Sequence, residues 1–144
     1  MNTPTQRIMI HQHGGPDVMR LEDAVLPPPG AGEILVEHTA IGLNYIDVYF
    51  RTGLYPAPGG LPFTPGNEGA GIVRALGEGV EHLAVGDRVA YIASPGSYAL
   101  HRIIKADIAV KLPDSIADDT GAAMMLKGMT ARFLLAKTYP VNAQ

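Results

Sequence analysis

The chain has 144 residues, a length that suits one domain with a single hydrophobic core. Its 47% hydrophobic and 17% charged residues are typical of a folded globular protein and exclude a disordered one. A net charge of −3 gives no electrostatic basis for nucleic-acid binding. The absence of cysteine excludes disulfides, thiolate catalysis and cysteine-containing zinc sites. With no apolar run long enough for a bilayer or a signal peptide, we expect a cytoplasmic protein.

Glycine and proline divide the first two thirds of the chain into short segments. The 17 glycines and 12 prolines are spread along the sequence and do not form a linker, so they punctuate strands. The proline-rich stretches 26–32 and 55–62 are predicted loops, because proline cannot donate to a strand ladder. Several short strands at near-regular spacing predict a barrel or a sandwich. The predicted strands are 7–10, 18–25, 33–41, 69–76, 87–93 and 97–112.

A short helix is predicted between two of these strands. Tyr45, Val48 and Tyr49 have helical spacing, and Gly53 would end the helix. From sequence alone, Asp47 and Arg51 at positions i and i+4 fit a surface ion pair at least as well as a functional site. On the same grounds Tyr45 is expected in the core.

A second helix is predicted near the end of the chain. Ser115 followed by Asp118 could cap its start. Its methionines are interpreted as core filler, because methionine fits irregular gaps. The apolar residues with helical spacing are Ala122, Met125, Leu126, Met129 and Phe133.

Neither a dinucleotide fingerprint nor a metal-ligand motif is found in the sequence. A G-x-G-x-x-G pattern fails twice, at Arg74 and at His82, where a third glycine would be needed. The five histidines show no paired ligand spacing, so we expect no metal site built on them. His38 alternates with apolar residues on a predicted strand and is expected to be half buried.

Five motifs occur in order along the chain: 30–36 (GAGEILV), 42–55 (GLNYIDVYFRTGLY), 65–73 (PGNEGAGIV), 85–89 (VGDRV) and 127–131 (KGMTA). Together they resemble the N-terminal part of the quinone oxidoreductase branch of the medium-chain dehydrogenase/reductases, the zeta-crystallin-like enzymes. The resemblance implies a mainly β, GroES-like antiparallel barrel with short helices over residues 1–120. It also implies that the C-terminal helix, within residues 121–144, leads towards a Rossmann domain that these 144 residues do not contain.

Two asparagines set this chain apart from the zinc-dependent alcohol dehydrogenases, which it also resembles. Those enzymes have a cysteine where Asn44 stands and a histidine where Asn67 stands. Asparagine is a poor substitute for thiolate or imidazole as a zinc ligand. The expectation is hydride transfer without a metal, for which a quinone is a suitable acceptor because its carbonyl needs less polarisation than that of an aldehyde.

The resemblance also implies the cofactor and the site residues. NADPH is the expected cofactor, and Asn44 and Tyr49 are the expected catalytic residues. Tyr49 and Tyr55 would contact a quinone or another small electrophilic substrate, whereas Glu68 could be structural. The residues expected to bind the cofactor are Asn44, Tyr45, Ile46, Asp47, Val48, Tyr49, Thr130 and Phe133.

These inferences lead to one principal hypothesis and its alternatives. The principal hypothesis is that the chain is the catalytic domain of an NADPH-dependent quinone reductase. These 144 residues alone are expected to be inactive, and the complete enzyme is expected to be a homodimer. A zinc-free alcohol or enone reductase of the same superfamily is one alternative. A non-enzymatic GroES-like binding module, such as a co-chaperonin, is another. The segment 44–55 and the helix of residues 127–133 favour an enzyme, since they would contact a cofactor and a co-chaperonin does not bind one.

Overall fold

A computed structural model describes residues 1–139 and Val141. Within them no helix is long and apolar enough to cross a membrane. The end of the predicted segment 121–144 lies outside the described residues, and so does that part of the prediction. The elements in chain order are β1 (Thr3–Ile10), β2 (Met19–Leu26), β3 (Glu33–Gly42), α1 (Tyr45–Thr52), β4 (Glu68–Leu76), β5 (Arg88–Ile92), β6 (His101–Lys105), β7 (Ala109–Lys111) and α2 (Asp118–Phe133).

The strands form two antiparallel sheets. Strands β1 and β2 make a hairpin, and the other five have the order β6-β3-β4-β5-β7. Isolated bridges join the hairpin to the loops around the larger sheet, from Arg7 to Ala99 and from Ile10 to Phe63. Among the described residues neither sheet closes on itself. The mainly β antiparallel architecture is therefore confirmed, in the form of an open barrel.

The predicted strand 97–112 is wrong as a single strand. It divides into β6 and β7, with a 3-10 turn at Ala106–Ile108 between them. Strand β6 pairs with β3 at one edge of the larger sheet, whereas β7 pairs with β5 at the other edge. The chain must therefore turn out of one ladder before it can join the next.

The main core lies against the larger sheet. Alternate residues of β3, β4 and β5 point to one side, as the pleat of a strand requires, and bury their side chains there. A loop residue, Leu83, completes this cluster. Its fully buried side chains are Ile34, Val36, Val73, Val89 and Tyr91.

The start of α2 differs from the predicted cap. Ala117 occupies the N-cap position and no side chain caps the helix. The carboxylate of Asp118 instead accepts hydrogen bonds from Thr39 Oγ1 at 2.6 Å and Arg88 Nε at 2.8 Å. The hydrogen bonds from these two residues lower the pKa of Asp118, and the one from Thr39 has the larger effect. The residue thus ties the helix to β3 and β5 and leaves the helix end uncapped.

Only the first half of α2 packs on the sheet. Ala122 and Met125 are buried, whereas Met129 and Phe133 are exposed. The interpretation of the methionines as core filler is therefore right for Met125 and wrong for Met129. The difference arises because the helix crosses the larger sheet near its beginning and then extends past it.

A directional hydrogen-bond chain runs through the core. The Ala99 carbonyl can only accept, so His38 Nδ1 donates to it at 2.6 Å, and in the neutral ring Nε2 accepts from the Tyr91 hydroxyl at 2.6 Å. The Tyr91 oxygen accepts from Ser97 at 3.0 Å, and Ser97 accepts from Arg102 at 2.9 Å. Burial lowers the pKa of His38 from 6.5 to about 4, so the imidazole is neutral at pH 7. The half-buried position predicted for His38 is confirmed.

Acid should destabilise the fold through His38. Between pH 6.5 and 4 the unfolded chain binds a proton at His38 and the folded chain does not, so stability falls as pH falls. From pH 7 to pH 5 we expect a loss of about 2 kcal/mol in the free energy of unfolding, measured by urea titration. In H38Q, which retains a polar side chain but cannot titrate, this part of the pH dependence should disappear. An equal pH dependence in both proteins would refute the assignment.

Candidate functional site

The site lies where α1, α2 and the adjoining ends of β3 and β4 meet. Gly42 ends β3, Glu68 begins β4, and Asn44 precedes α1. Leu126 and Lys127 come from the middle of α2. Four elements therefore contribute backbone or side-chain groups to one small volume.

Three side chains form a connected polar network there. The amide nitrogen of Asn44 donates to Glu68 Oε1 at 2.7 Å, and the amide oxygen accepts from Lys127 Nζ, also at 2.7 Å. Lys127 Nζ also lies 3.4 Å from both Glu68 Oε1 and the Leu43 carbonyl. We call Asn44, Glu68 and Lys127 the polar triad.

Glu68 is the anchor of the polar triad, with 0% of its surface exposed. Its second oxygen, Oε2, accepts from the Leu126 backbone N–H at 2.6 Å. Burying a carboxylate costs several kcal/mol unless hydrogen-bond donors are supplied, and here the short ones come from the α2 backbone and from Asn44. The structure thus gives Glu68 the structural role expected for it and makes it the support of Asn44.

Asp47 is held on the other side of Asn44. Its Oδ2 accepts from the Asn44 backbone N–H at 3.0 Å and from the Tyr98 hydroxyl at 3.0 Å. Burial raises the pKa of Asp47, against the effect of these hydrogen bonds. The expected ion pair with Arg51 does not form in the described structure. Tyr98 takes the carboxylate, and Arg51 donates to the Gly14 carbonyl at 2.8 Å.

Three aromatic rings lie along α1 and just after it. The rings of Tyr45 and Tyr49 are 5.2 Å apart and edge-on, and those of Tyr49 and Tyr55 are 5.1 Å apart. Tyr45 is 72% exposed, so the expectation that it lies in the core is wrong. The inner face of α1 is instead occupied by Phe50, which is buried in a cluster with Ile10. We call the three residues the tyrosine cluster.

The remaining predicted site residues are less closely connected. Thr130 donates its hydroxyl to the Leu126 carbonyl at 2.7 Å, which is a helix-internal bond. Phe133 is 61% exposed. Ile46 and Val48 are half buried in α1. No hydrogen bond or ring contact among the described residues joins Thr130 or Phe133 to the polar triad or the tyrosine cluster.

Lys127 and Tyr98 are the residues that sequence reasoning missed as parts of the site. Lys127 stands in the KGMTA motif, but its partner Asn44 is 83 residues away in sequence. Tyr98 reaches Asp47 from a loop after β5. For Lys127, the available signal was a lysine next to a glycine within a predicted helix. For Tyr98, no local sequence pattern indicates a role in the site.

Comparison with known proteins places this geometry in a family. The family model for the alcohol dehydrogenase GroES-like domain matches residues 30–114. The chain therefore belongs to the alcohol dehydrogenase GroES-like domain family. The expected GroES-like fold is confirmed.

Several reductases within this family are similar to the chain over most of its length. Quinone oxidoreductase of Salmonella typhimurium is 48% identical over 137 residues, which is 94% of this chain and 42% of that protein. A 2-haloacrylate reductase of Burkholderia is 40% identical over 140 residues, 93% of this chain and 42% of that protein. Among solved structures, Escherichia coli quinone oxidoreductase complexed with NADPH matches with a TM-score of 0.91 and 46% identity. That match covers 95% of this chain and 42% of the other.

These comparisons confirm the resemblance to the quinone oxidoreductase branch. The chain spans about two fifths of the length of the relatives it matches.

Gly42 allows Glu68 and α2 to approach. A Cβ at Gly42 would lie 2.5 Å from the Ala122 carbonyl oxygen and 2.6 Å from Glu68 Oε1. We therefore expect G42A to destabilise the protein by about 1–3 kcal/mol through overpacking. G128A is the matched control, because a Cβ there meets nothing within 4 Å and should stabilise α2 by up to about 1 kcal/mol. Urea unfolding of both variants tests this, and a G42A protein as stable as wild type would contradict it.

Proposed function

We propose that this chain supplies the substrate-side domain of an NADPH-dependent reductase that passes hydride to a quinone. The observation that carries the proposal is the polar triad at the start of α1, the helix that also bears Tyr45 and Tyr49. The triad combines an amide with a cation, and the phenols of Tyr45 and Tyr49 follow along α1, on a fold whose relatives include a quinone oxidoreductase complexed with NADPH. A flat, electron-poor substrate suits aromatic walls with a few placed donors.

We further propose that the reaction proceeds without zinc. Both polar atoms of the Asn44 side chain already have partners, Glu68 and Lys127. Asn67 is buried and donates to the Ala93 carbonyl at 3.2 Å. Amides are weak zinc ligands, and an ammonium in contact with Asn44 would repel a metal ion. The donor set therefore does not fit the zinc site of related dehydrogenases.

Lys127 is positioned to supply positive charge in place of a metal. An ammonium has three N–H donors. Only its contact with Asn44 is short, whereas those with Glu68 and Leu43 are 3.4 Å long. Lys127 can therefore turn a donor outward to an oxygen that gains negative charge, and a preorganised charge of this kind lowers the barrier.

The tyrosine cluster would bind and orient the acceptor. Tyr49 is half buried between the two other rings, so its orientation is set by contact with both. Its phenol can donate a hydrogen bond to a quinone oxygen, and Tyr55 can pack against the ring. Catalytic roles are accordingly proposed for Asn44 and Tyr49, and substrate contact for Tyr49 and Tyr55.

NADPH would supply the hydride when bound. The exposed apolar positions of α1 and α2 suit the nicotinamide half of the cofactor, with Tyr45 and Phe133 the most exposed of them. The proposed contacts are the side chains of Asn44, Tyr45, Ile46, Asp47, Val48, Tyr49, Thr130 and Phe133. The 144 residues contain no G-x-G-x-x-G phosphate motif, so we propose that they do not turn over alone. From the family resemblance we also propose that the complete enzyme is a homodimer.

A second candidate reaction is reduction of an activated alkene. A relative at 40% identity is a 2-haloacrylate reductase, and hydride addition to an electron-poor double bond needs the same close, dry placement of donor and acceptor. Comparing kcat/KM for quinones and enones in one assay decides between the two. Binding of a peptide with no NADPH oxidation would instead support a non-enzymatic module.

Replacing Lys127 should weaken catalysis far more than folding. In the complete enzyme that contains this chain, we expect K127M to lower kcat for NADPH-dependent quinone reduction by roughly 100-fold, as loss of a charge-stabilising donor does elsewhere. K127R should retain part of the rate because it retains the charge. K111M is the matched control, since Lys111 lies at the end of β7 and makes an ion pair with Asp87. A K127M enzyme with wild-type kcat would refute the role.

Tyr49 can be tested by separating its ring from its hydroxyl. Y49F keeps the ring contacts and should lower kcat by roughly 10-fold with little change in KM. Y49A removes the ring as well and should also raise KM. Y45F is the control, because the Tyr45 hydroxyl has no assigned role. If Y49F and Y45F behave alike in steady-state assays with a quinone series, the phenol is not a donor.

A further inference from the structure

A cavity away from the proposed active site is lined by basic side chains. It has a volume of about 480 Å³, within the usual range for small-molecule sites. Arg7, His101 and Arg102 line it, and among the described residues no aspartate or glutamate does. No member of the polar triad or the tyrosine cluster contributes to its wall.

The position of Arg7 follows from the alternation of β1. Thr5, Arg7 and Met9 point to the same face of the strand, and all three line the cavity. Arg7 Nε is buried and has no hydrogen-bond partner among the described residues. A buried donor without a partner is costly, so this atom is poised to bind an acceptor from outside the chain.

Arg102 adds a second charge that no carboxylate neutralises in the described structure. Its guanidinium stacks over the Tyr91 ring at 5.5 Å and donates to three neutral oxygens, on Ser97, Ser94 and Pro95. Neither Arg7 nor Arg102 forms an ion pair with a described residue. Two uncompensated guanidinium groups on one cavity favour an oxyanion, which arginine binds with charge-assisted hydrogen bonds.

The rest of the wall indicates what the anion is attached to. Met9, Phe63 and Ile103 give the cavity an apolar side. Arg7 also borders a neighbouring apolar groove, but no second cation lines that groove, so an anion gains both charges only in the cavity. We propose that this cavity is a binding site for a small organic anion, with its oxyanion head at Arg7 and Arg102 and its apolar body on Met9 and Phe63.

The test uses benzoate as a carboxylate with an apolar body and inorganic phosphate as an oxyanion without one. Each is titrated into the isotope-labelled protein at low salt, with amide shifts followed by NMR. We expect saturable binding of benzoate, with shifts centred on Thr64, Gly96 and Ala99, and weaker binding of phosphate. Absence of saturation by about 10 mM benzoate, or equally tight binding of phosphate, would overturn the proposal.

Variants of Arg7 separate its charge from its role in the fold. R7M keeps the aliphatic stem and should weaken benzoate at least tenfold, whereas R7K should lose roughly threefold because it keeps the charge without the fork. R7Q repeats the loss of charge with a polar side chain, in case R7M is unstable. R74M is the matched control, because Arg74 is an exposed residue of β4 that pairs with Glu37 of β3. Unchanged benzoate affinity in folded R7M or R7Q would overturn the assignment.

Discussion

The buried carboxylate of Glu68 is the constraint on which the site depends. A carboxylate with no exposed surface must receive hydrogen bonds from every side, and it receives them from the α2 backbone, from the Asn44 amide and, at longer range, from Lys127. These donors belong to two separate parts of the chain, the residue before α1 and the middle of α2. The first residue of β4 therefore fixes where α1 begins and how far α2 lies from the sheet.

The same physical rule organises the opposite side of the larger sheet. There the buried polar group is the Tyr91 hydroxyl, which is satisfied by His38 on one side and Ser97 on the other. Arg102 completes the chain of donors at the edge of the sheet, next to the cavity. Each polar group of this chain thus has a partner, as the cost of an unpaired buried donor or acceptor requires. The buried side-chain atoms without a partner among the described residues are Arg7 Nε, Asp47 Oδ1 and Asn67 Oδ1, of which Arg7 Nε is the donor.

Local sequence signals were sufficient for the strands but not for their long-range pairing. Alternating apolar residues and glycine turns located most strands to within one or two residues, because period and punctuation are local properties. The division of 97–112 into β6 and β7 could not be predicted, since it depends on partner strands at opposite edges of the sheet. The resemblance provided the GroES-like architecture, which periodicity alone left as a barrel or a sandwich.

The site shows the same division between local and long-range information. The helix after Asn44 and its end at Gly53 were predictable, because helical spacing and a left-handed glycine are local. The loss of the Asp47 to Arg51 pair was not, since the competing partner Tyr98 is 51 residues from Asp47. The exposure of Tyr45 likewise depends on which face of α1 the cluster around Phe50 covers.

The energetics of Lys127 favour a role in catalysis over a role in stability. The lysine side chain is 60% exposed, and its Nζ lies 3.4 Å from Glu68 Oε1, which is long for a charge-assisted hydrogen bond. Glu68 already has short bonds from Asn44 and Leu126, so the fold does not need the ammonium to satisfy it. What the lysine does fix is a positive charge at 2.7 Å from the Asn44 oxygen, at the edge of solvent. A charge placed there, with two of its three contacts long, supports the proposal that it meets an oxygen of the bound substrate or cofactor.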